Sequence, residues 1–132
     1  MIKEQRCQTM MEVFSKYRDL RLRDKRKGSS LSFNMHLTQD MKESSIDVLE
    51  LSIRSLHVLK RAGFNTIGDV TYAIADGLSI SSLRNCGAKS AREIMEHLFL
   101  YQYYKLPPEK RDDYIYEVVV LNCYDKSDRK AN

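Results

Sequence analysis

Nothing in the 132 residues of this chain approaches the run of about 18 successive apolar side chains that a membrane-spanning helix requires. The opening residues, Met1-Ile2-Lys3-Glu4-Gln5-Arg6, carry charge without the apolar stretch that follows it in a secretory signal, so a cytoplasmic protein is expected. Cysteine is scarce. Cys7, Cys86 and Cys123 are odd in number, widely spaced and outside any Cys-x-x-Cys pair or Cys/His cluster, which points to reduced thiols rather than a disulfide framework or a zinc site. His36, His57 and His97 are equally scattered and read as partly exposed surface groups, so neither a metal nor another cofactor is expected. The chain also lacks an internal repeat of solenoid length and any low-complexity tract.

What remains is ordinary for a soluble globular protein: 42% hydrophobic and 30% charged residues, enough for one modest core with extensions. The formal net charge is +4 and the sequence pI is near 9.0. Its distribution says more than its size. Residues 1–30 hold nine Lys/Arg against four Asp/Glu, whereas residues 46–105 are nearly balanced. The densest basic stretch, with Arg21, Arg23, Lys25, Arg26 and Lys27, is ended by Gly28-Ser29-Ser30. Cations at a helix C-terminus account for it in one reading, and a secondary contact with nucleic acid in the other.

Helical periodicity dominates the chain. Cys7, Met10, Phe14 and Tyr17 recur at three- and four-residue steps, widened by Met11, Val13 and Leu20, so residues 3–26 read as an amphipathic helix within a basic arm covering 1–30. Its apolar stripe must be covered, either by the central domain or by a second copy in a homodimer. Residues 31–45 turn polar and read as a linker. From Ser44 a cap with Asp47 three residues on opens a helix carrying Leu49, Ile53, Leu56 and Leu59. Gly63 followed by Phe64 stops that helix as a left-handed C-terminal ending does, and Thr66-Ile67-Gly68-Asp69 starts the next with a capping box. That second helix carries Ile67, Val70 and Ile74 inward and ends near Gly77. A short helical turn at residues 81–84 leads to the corner Asn85-Cys86-Gly87, and Ala91, Ile94, Met95 and Leu98 form the inward face of a helix that runs to about Tyr104.

Pro107-Pro108 forbids its continuation. Pro108 at a first helical position with acids behind it then fits a last helix, although Tyr116-Glu117-Val118-Val119-Val120 has strand propensity. The tyrosines Tyr101, Tyr103 and Tyr104 read as core and rim. The whole is an all-α bundle of short helices: arm 1–30, linker 31–45, central domain 46–105, and a C-terminal helix and frayed tail over 106–132.

The chemistry concentrates in Leu83-Arg84-Asn85-Cys86-Gly87-Ala88-Lys89-Ser90-Ala91, which reads as a helix-hairpin-helix turn. Such a turn presents the unpaired N–H groups of a helix start, with Lys89 and Ser90 beside them, to an anion. In a basic protein that anion is a nucleic-acid phosphate.

With the helices placed, residues 48–98 resemble the C-terminal domain of the bacterial RNA polymerase alpha subunit. The resemblance rests on Leu49-Glu50-Leu51-Ser52-Ile53-Arg54-Ser55, Leu59-Lys60, Ile67-Gly68-Asp69, and Asn85-Cys86-Gly87-Ala88-Lys89-Ser90 with Glu93-Ile94 behind it, apart from about two extra residues between Asp69 and Asn85. It implies a compact four- to five-helix domain that binds A/T-rich DNA across the minor groove and touches sigma and transcription activators. By the same resemblance Arg54 enters the groove, Gly87, Lys89 and Ser90 meet phosphates, and Asn85 and Glu93 stand at further contact positions.

The physics is consistent, because a narrow A-tract groove concentrates negative potential that a guanidinium can enter. The chain departs from the family at His57, where asparagine is usual; an imidazole donates one hydrogen bond or a charge but lacks the amide's paired donor and acceptor. Cys86 stands where leucine is commoner and reads as a small buried apolar group. The match does not extend into residues 1–45, so a free-standing relative is expected.

The expected function is therefore non-catalytic: a DNA-binding protein acting in transcription or its regulation. The alternative is an interaction module for sigma factor, an activator or RNA polymerase without DNA contact. About three phosphate contacts would support only non-specific affinity, on the order of 10⁻⁴ to 10⁻⁶ M. A second handle, through dimerisation or the basic run, is expected to raise avidity.

Overall fold

The computed structural model of the chain describes residue 7, residues 9–17 and residues 33–123. The basic run Arg21, Arg23, Lys25, Arg26 and Lys27 and the tail beyond Cys123 lie outside them. Six α-helices account for most of what is described: α1 (Met10–Ser15), α2 (Gln39–Glu43), α3 (Ile53–Arg61), α4 (Ile67–Ala75), α5 (Ala88–Lys105) and α6 (Pro108–Cys123), with 3₁₀ turns at Ile46–Leu49 and Ile80–Ser82. Among the described residues there is no strand, only one isolated antiparallel bridge between Ser45 and Thr66. The fold is all-α. No described helix is long and apolar enough to cross a membrane. The described residues form two compact units, one of residues 35–102, the other of those before 35 together with those after 102.

In the 35–102 unit, local signals translate directly into geometry. The Thr66 hydroxyl accepts from the Asp69 N–H at 3.0 Å, and the Asp69 carboxylate accepts from the Thr66 and Asn65 N–H groups at 3.1 and 2.9 Å, completing the expected capping box. These backbone donors hold the Asp69 carboxyl below its ordinary value. Helix α3 ends on Gly63 at φ 90°, with Gly63 N–H donating to Lys60 O and Phe64 N–H to Leu59 O, both at 3.0 Å. That is the Schellman pattern. Gly77, at φ 108°, closes α4 in the same way. Ile46, Leu49, Val58, Leu59, Ile67, Val70, Ile80, Ile94, Leu98 and Phe99 form the core of this unit.

Three expectations are corrected here. Within the stretch read as a linker, Thr38 caps α2, whose Met41 is buried and whose Lys42 carbonyl lies against α4. The cap expected at Ser44 falls one residue later, because Ser45 Oγ accepts from the Asp47 N–H at 3.0 Å while Ser44 ends α2. The helix then does not run on through Leu49 to Leu59. Glu50 adopts a left-handed conformation at φ 52°, and Ser52 caps a fresh helix. The restart resets the register: Ser55, Val58 and Leu59 go inward, and Ile53 is left 74% exposed.

The other unit gathers α1, the last turn of α5 and α6. The helix expected over 3–26 is confined, in its described part, to Met10–Ser15. The Thr9 hydroxyl caps it by accepting from the Glu12 N–H at 3.1 Å, and the backbone leaves the helix at Tyr17. Before the cap, the Cys7 N–H donates to the Tyr104 hydroxyl at 2.8 Å, and beyond the helix the Tyr17 and Tyr103 hydroxyls pair at 2.7 Å. Met10, Val13 and Phe14 are buried within a single chain, so the apolar face of this short helix is already covered without a second copy.

Residues 108–121 are helical, as the proline at the first position favours. Arg111 explains the sharp turn before them. Its Nε and Nη2 donate to the carbonyls of Tyr103 and Tyr104 at the end of α5, at 3.0 and 3.3 Å, and its guanidinium lies 5.2 Å from both ring centres. A cation suits both the unpaired carbonyls of a helix C-terminus and the aromatic faces.

Two glycines differ in what a side chain would meet. A Cβ at Gly68 would lie 2.9 Å from the Lys42 carbonyl oxygen, whereas one at Gly87 would meet nothing within 4 Å. Gly68→Ala should therefore lower the unfolding free energy by about 1–3 kcal/mol, and Gly87→Ala should leave it within about 0.5 kcal/mol. Urea denaturation of the two variants checks both; equal stabilities would mean that α2 and α4 do not approach so closely.

Candidate nucleic-acid interface

The site begins with how α3 is held. Ser52 donates to the Glu93 carboxylate through its N–H at 2.7 Å and its hydroxyl at 2.8 Å. The buried Ser55 hydroxyl donates to the same carboxylate, and the Ser55 N–H in turn donates to Ser52 Oγ at 3.3 Å. One acid on α5 thus fastens the first turn of α3 through three donors. Burial pushes the Glu93 carboxyl up, but the hydrogen bonds from Ser55 and Ser52, aided by His97, outweigh it and hold the group below the ordinary glutamate value. One turn further on, His97 Nδ1 donates to the Leu49 carbonyl at 2.6 Å, which defines its tautomer because a carbonyl can only accept.

Arg54 sits between the two tethered serines and is exposed, as is His57 in the next turn. Across from them is the hairpin corner. The 3₁₀ turn Ile80–Ser82 ends at Leu83, whose carbonyl accepts from the Cys86 N–H at 3.0 Å, and Asn85 takes the left-handed conformation at φ 62°. Asn85 supplies the corner's backbone freedom, as asparagine tolerates that region better than most residues. Gly87 precedes α5, and its carbonyl accepts the helix's first bond, from Ala91 N–H at 3.0 Å. A Cβ at Gly87 would meet nothing within 4 Å.

An open groove of about 560 Å³ runs between these elements, with Arg54, His57, Val58 and Arg61 on the α3 side and Leu83, Asn85, Cys86 and Gly87 on the other. A second lobe of about 410 Å³ shares Val58, Arg61 and Asn85 and adds Ala62 and Arg84. Every charged side chain lining the two lobes is cationic. Low-dielectric walls carrying one sign of charge focus potential into the space between them. No described residue pairs with Arg54, Arg61 or Arg84, so these guanidiniums keep their donors for a ligand. Among the described residues no cluster of three potential metal ligands occurs.

The expected site residues separate into three groups. Arg54, His57, Asn85 and Gly87 meet in the groove, and Lys89 is exposed in the first turn of α5 without lining it. Two residues lie deeper. Ser90 is 7% exposed, with no hydrogen bond from its hydroxyl to a described residue, and Glu93 is held by Ser52 and Ser55. The basic run of Arg21, Arg23, Lys25, Arg26 and Lys27 lies outside the described residues.

Cys86, expected to be buried, is half-buried on the groove wall; burial raises its thiol, and Cys86 and Cys7 are both free. Arg61 and Arg84 were missed as candidates. Arg61 was legible, since it lies seven residues after Arg54 and therefore on the same helical face. Arg84 was not, because its place depends on the turn at Asn85.

The Glu93 tether makes stability depend on pH. A carboxyl whose folded value is depressed stabilises above the unfolded glutamate value of about 4.3 and loses that contribution as pH falls below it and through the folded value. Glu93→Gln should cost about 1–3 kcal/mol at neutral pH, because it removes a charged acceptor from three donors. The variant should also lose less stability than the parent on acidification through this window. Urea midpoints at neutral and acid pH test this, and parallel pH profiles would show that Glu93 is not the linked group.

Residues 34–99, half of the chain, match the family model for the C-terminal domain of the bacterial RNA polymerase alpha chain. The DNA-directed RNA polymerase subunit alpha of Malacoplasma penetrans is 38% identical over 91 residues, covering 66% of this chain and 24% of that protein. The subunits of Mesomycoplasma hyopneumoniae (strain 7448) and Oenococcus oeni are 42% identical over 59 residues and 47% over 53, covering 45% and 40% of this chain and 17% and 16% of theirs. The chain thus spans about a quarter or less of the length of these curated relatives. No solved structure matches it. The matched region contains the Glu93 tether, the groove and the hairpin corner, and the protein belongs to the family formed by the C-terminal domain of the bacterial RNA polymerase alpha subunit.

Proposed function

We propose that this chain is a non-catalytic module that binds duplex DNA in transcription or its regulation, with the groove between α3 and the Asn85–Gly87 corner as its contact surface. The observation that carries this reading is the convergence of unpaired cations on that groove with no acid among them. Arg54 enters a narrow minor groove, His57 adds a hydrogen bond or a charge, and the Asn85 and Gly87 backbone approaches a phosphate at the start of α5, with Lys89 beside it.

The absent side chain at Gly87 supports close approach, since intramolecular packing leaves room for one. Ser90, in the same turn, contributes its backbone N–H and its hydroxyl. A non-catalytic role fits the Cys86 thiol, which burial pushes away from the thiolate that a nucleophile requires. RNA polymerase itself is the protein partner we infer, because the relatives are subunits of that enzyme.

Fluorescence anisotropy with A/T-rich and G/C-rich duplexes at two salt concentrations tests the reading. Arg54→Ala should cost about 1–3 kcal/mol of binding and reduce the preference for A/T-rich duplex, and Lys89→Ala should lower the salt slope by about one without changing that preference. Gly87→Ala should weaken both duplexes at unchanged stability. If Arg54→Ala and Lys89→Ala bind as the parent does, the groove is not the DNA site. Polymerase subunits retained from a nuclease-treated lysate, without duplex binding, would favour the protein-interaction alternative.

A further inference from the structure

The second lobe of the groove is not accounted for by the contacts just described. It is formed where α3 ends, by Val58, Arg61 and Ala62, and is closed on its other side by Arg84 and Asn85. Arg61 and Arg84 are exposed, neither has a partner among the described residues, and no carboxylate lines the space with them. A helix C-terminus ordinarily repels anions, because its last carbonyls carry partial negative charge. Here those carbonyls are engaged: Val58 and Leu59 accept from the Ala62 N–H at 3.3 and 3.1 Å, Leu59 also from Phe64, and Lys60 from Gly63. The two guanidiniums therefore dominate the local field.

Spacing indicates what they meet. Arg61 follows Arg54 by seven residues on one face of α3, which at 1.5 Å per residue separates them by about 10 Å along the helix. A B-form minor groove is about 6 Å wide. With Arg54 seated in such a groove, a cation about 10 Å further along lies beyond the groove wall, at the sugar-phosphate strand. Guanidinium forks match phosphate oxygens in pairs, and Arg84 stands across the lobe to share them.

We infer that Arg61 and Arg84 form a second anion clamp that grips the phosphate strand flanking the minor groove, adding affinity without reading sequence. This inference rests on the proposed duplex-binding role of the groove and extends it to residues that the hairpin motif does not include. Each guanidinium displaces about one counterion from the duplex, so the clamp steepens the salt dependence by about two and acts equally on all sequences.

The test uses the full chain and the variant carrying both Arg61→Gln and Arg84→Gln, with Arg54→Ala beside it. Each is titrated against the A/T-rich and the G/C-rich duplex between about 50 and 200 mM salt. Thermal unfolding followed by circular dichroism establishes that each variant is folded. The double variant should bind both duplexes more weakly, with the logarithmic salt slope smaller by about two and the ratio of the two affinities unchanged. A slope equal to the parent's overturns the clamp while leaving the Arg54 site standing. A changed affinity ratio also overturns it, because the pair would then be reading groove shape. If the parent itself binds neither duplex, the functional reading fails first and the clamp with it; poly-glutamate retained by the parent and lost in the double variant would reassign the lobe to acidic protein partners.

Discussion

The carboxylate of Glu93, gripped by Ser52 and Ser55, is the interaction on which the rest of the site depends. It joins the N-terminal turn of α3 to α5, two elements about forty residues apart in sequence, and so decides where Arg54 stands relative to the hairpin corner. A capped helix start has one polarity: its free N–H and hydroxyl groups seek an acceptor, and a partly buried carboxylate satisfies three of them at once. Because the anion is supplied internally, the exterior of the same turn is left to a cation. The tether and the guanidinium are consequences of the same short segment, residues 52–55.

Around that joint the groove is electrostatically simple. Cations from α3 and from the Arg84–Asn85 turn face a common space, and the nearest acid in sequence to Arg54, Glu50, lies outside the groove lining. The near-neutral balance of residues 46–105 therefore conceals a strongly one-sided surface. Net charge describes solubility and long-range attraction, whereas the arrangement of charge on a concave face determines what is held there. The two glycines beside this machinery differ in the same way. Gly68 is required by the approach of α2 to α4, whereas a Cβ at Gly87 would meet nothing within 4 Å.

Much of the helical unit was legible along the chain. Thr66 and Asp69, Gly63 and Phe64, and the prolines at 107 and 108 act over three to five residues, and local rules carried each of them to the right place. The error at α3 has a local cause. Spacing from Leu49 through Ile53 to Leu59 looks like one helix because periodicity does not register a single residue at positive φ; Glu50 breaks it, and Ile53 is left outside. In its described part the arm helix is shorter than its periodicity, because Cys7 and Tyr17 keep helical spacing with Met10 and Phe14 while lying outside Met10–Ser15. Glu93 belongs to a ligand by its place in a motif, and only packing shows that Ser52 and Ser55 engage it.

The sequence by itself determined the helix type of each long segment, the ending of α3, the caps that start and stop α4, and the presence of a hairpin corner with basic neighbours, because these are consequences of bonds between residues near one another along the backbone. Tertiary structure alone decided which charges share a groove, that Arg61 and Arg84 belong to it, and that Glu93 serves the fold. Those outcomes depend on contacts spanning tens of residues, where burial and hydrogen-bond satisfaction compete across elements whose separation no local pattern encodes.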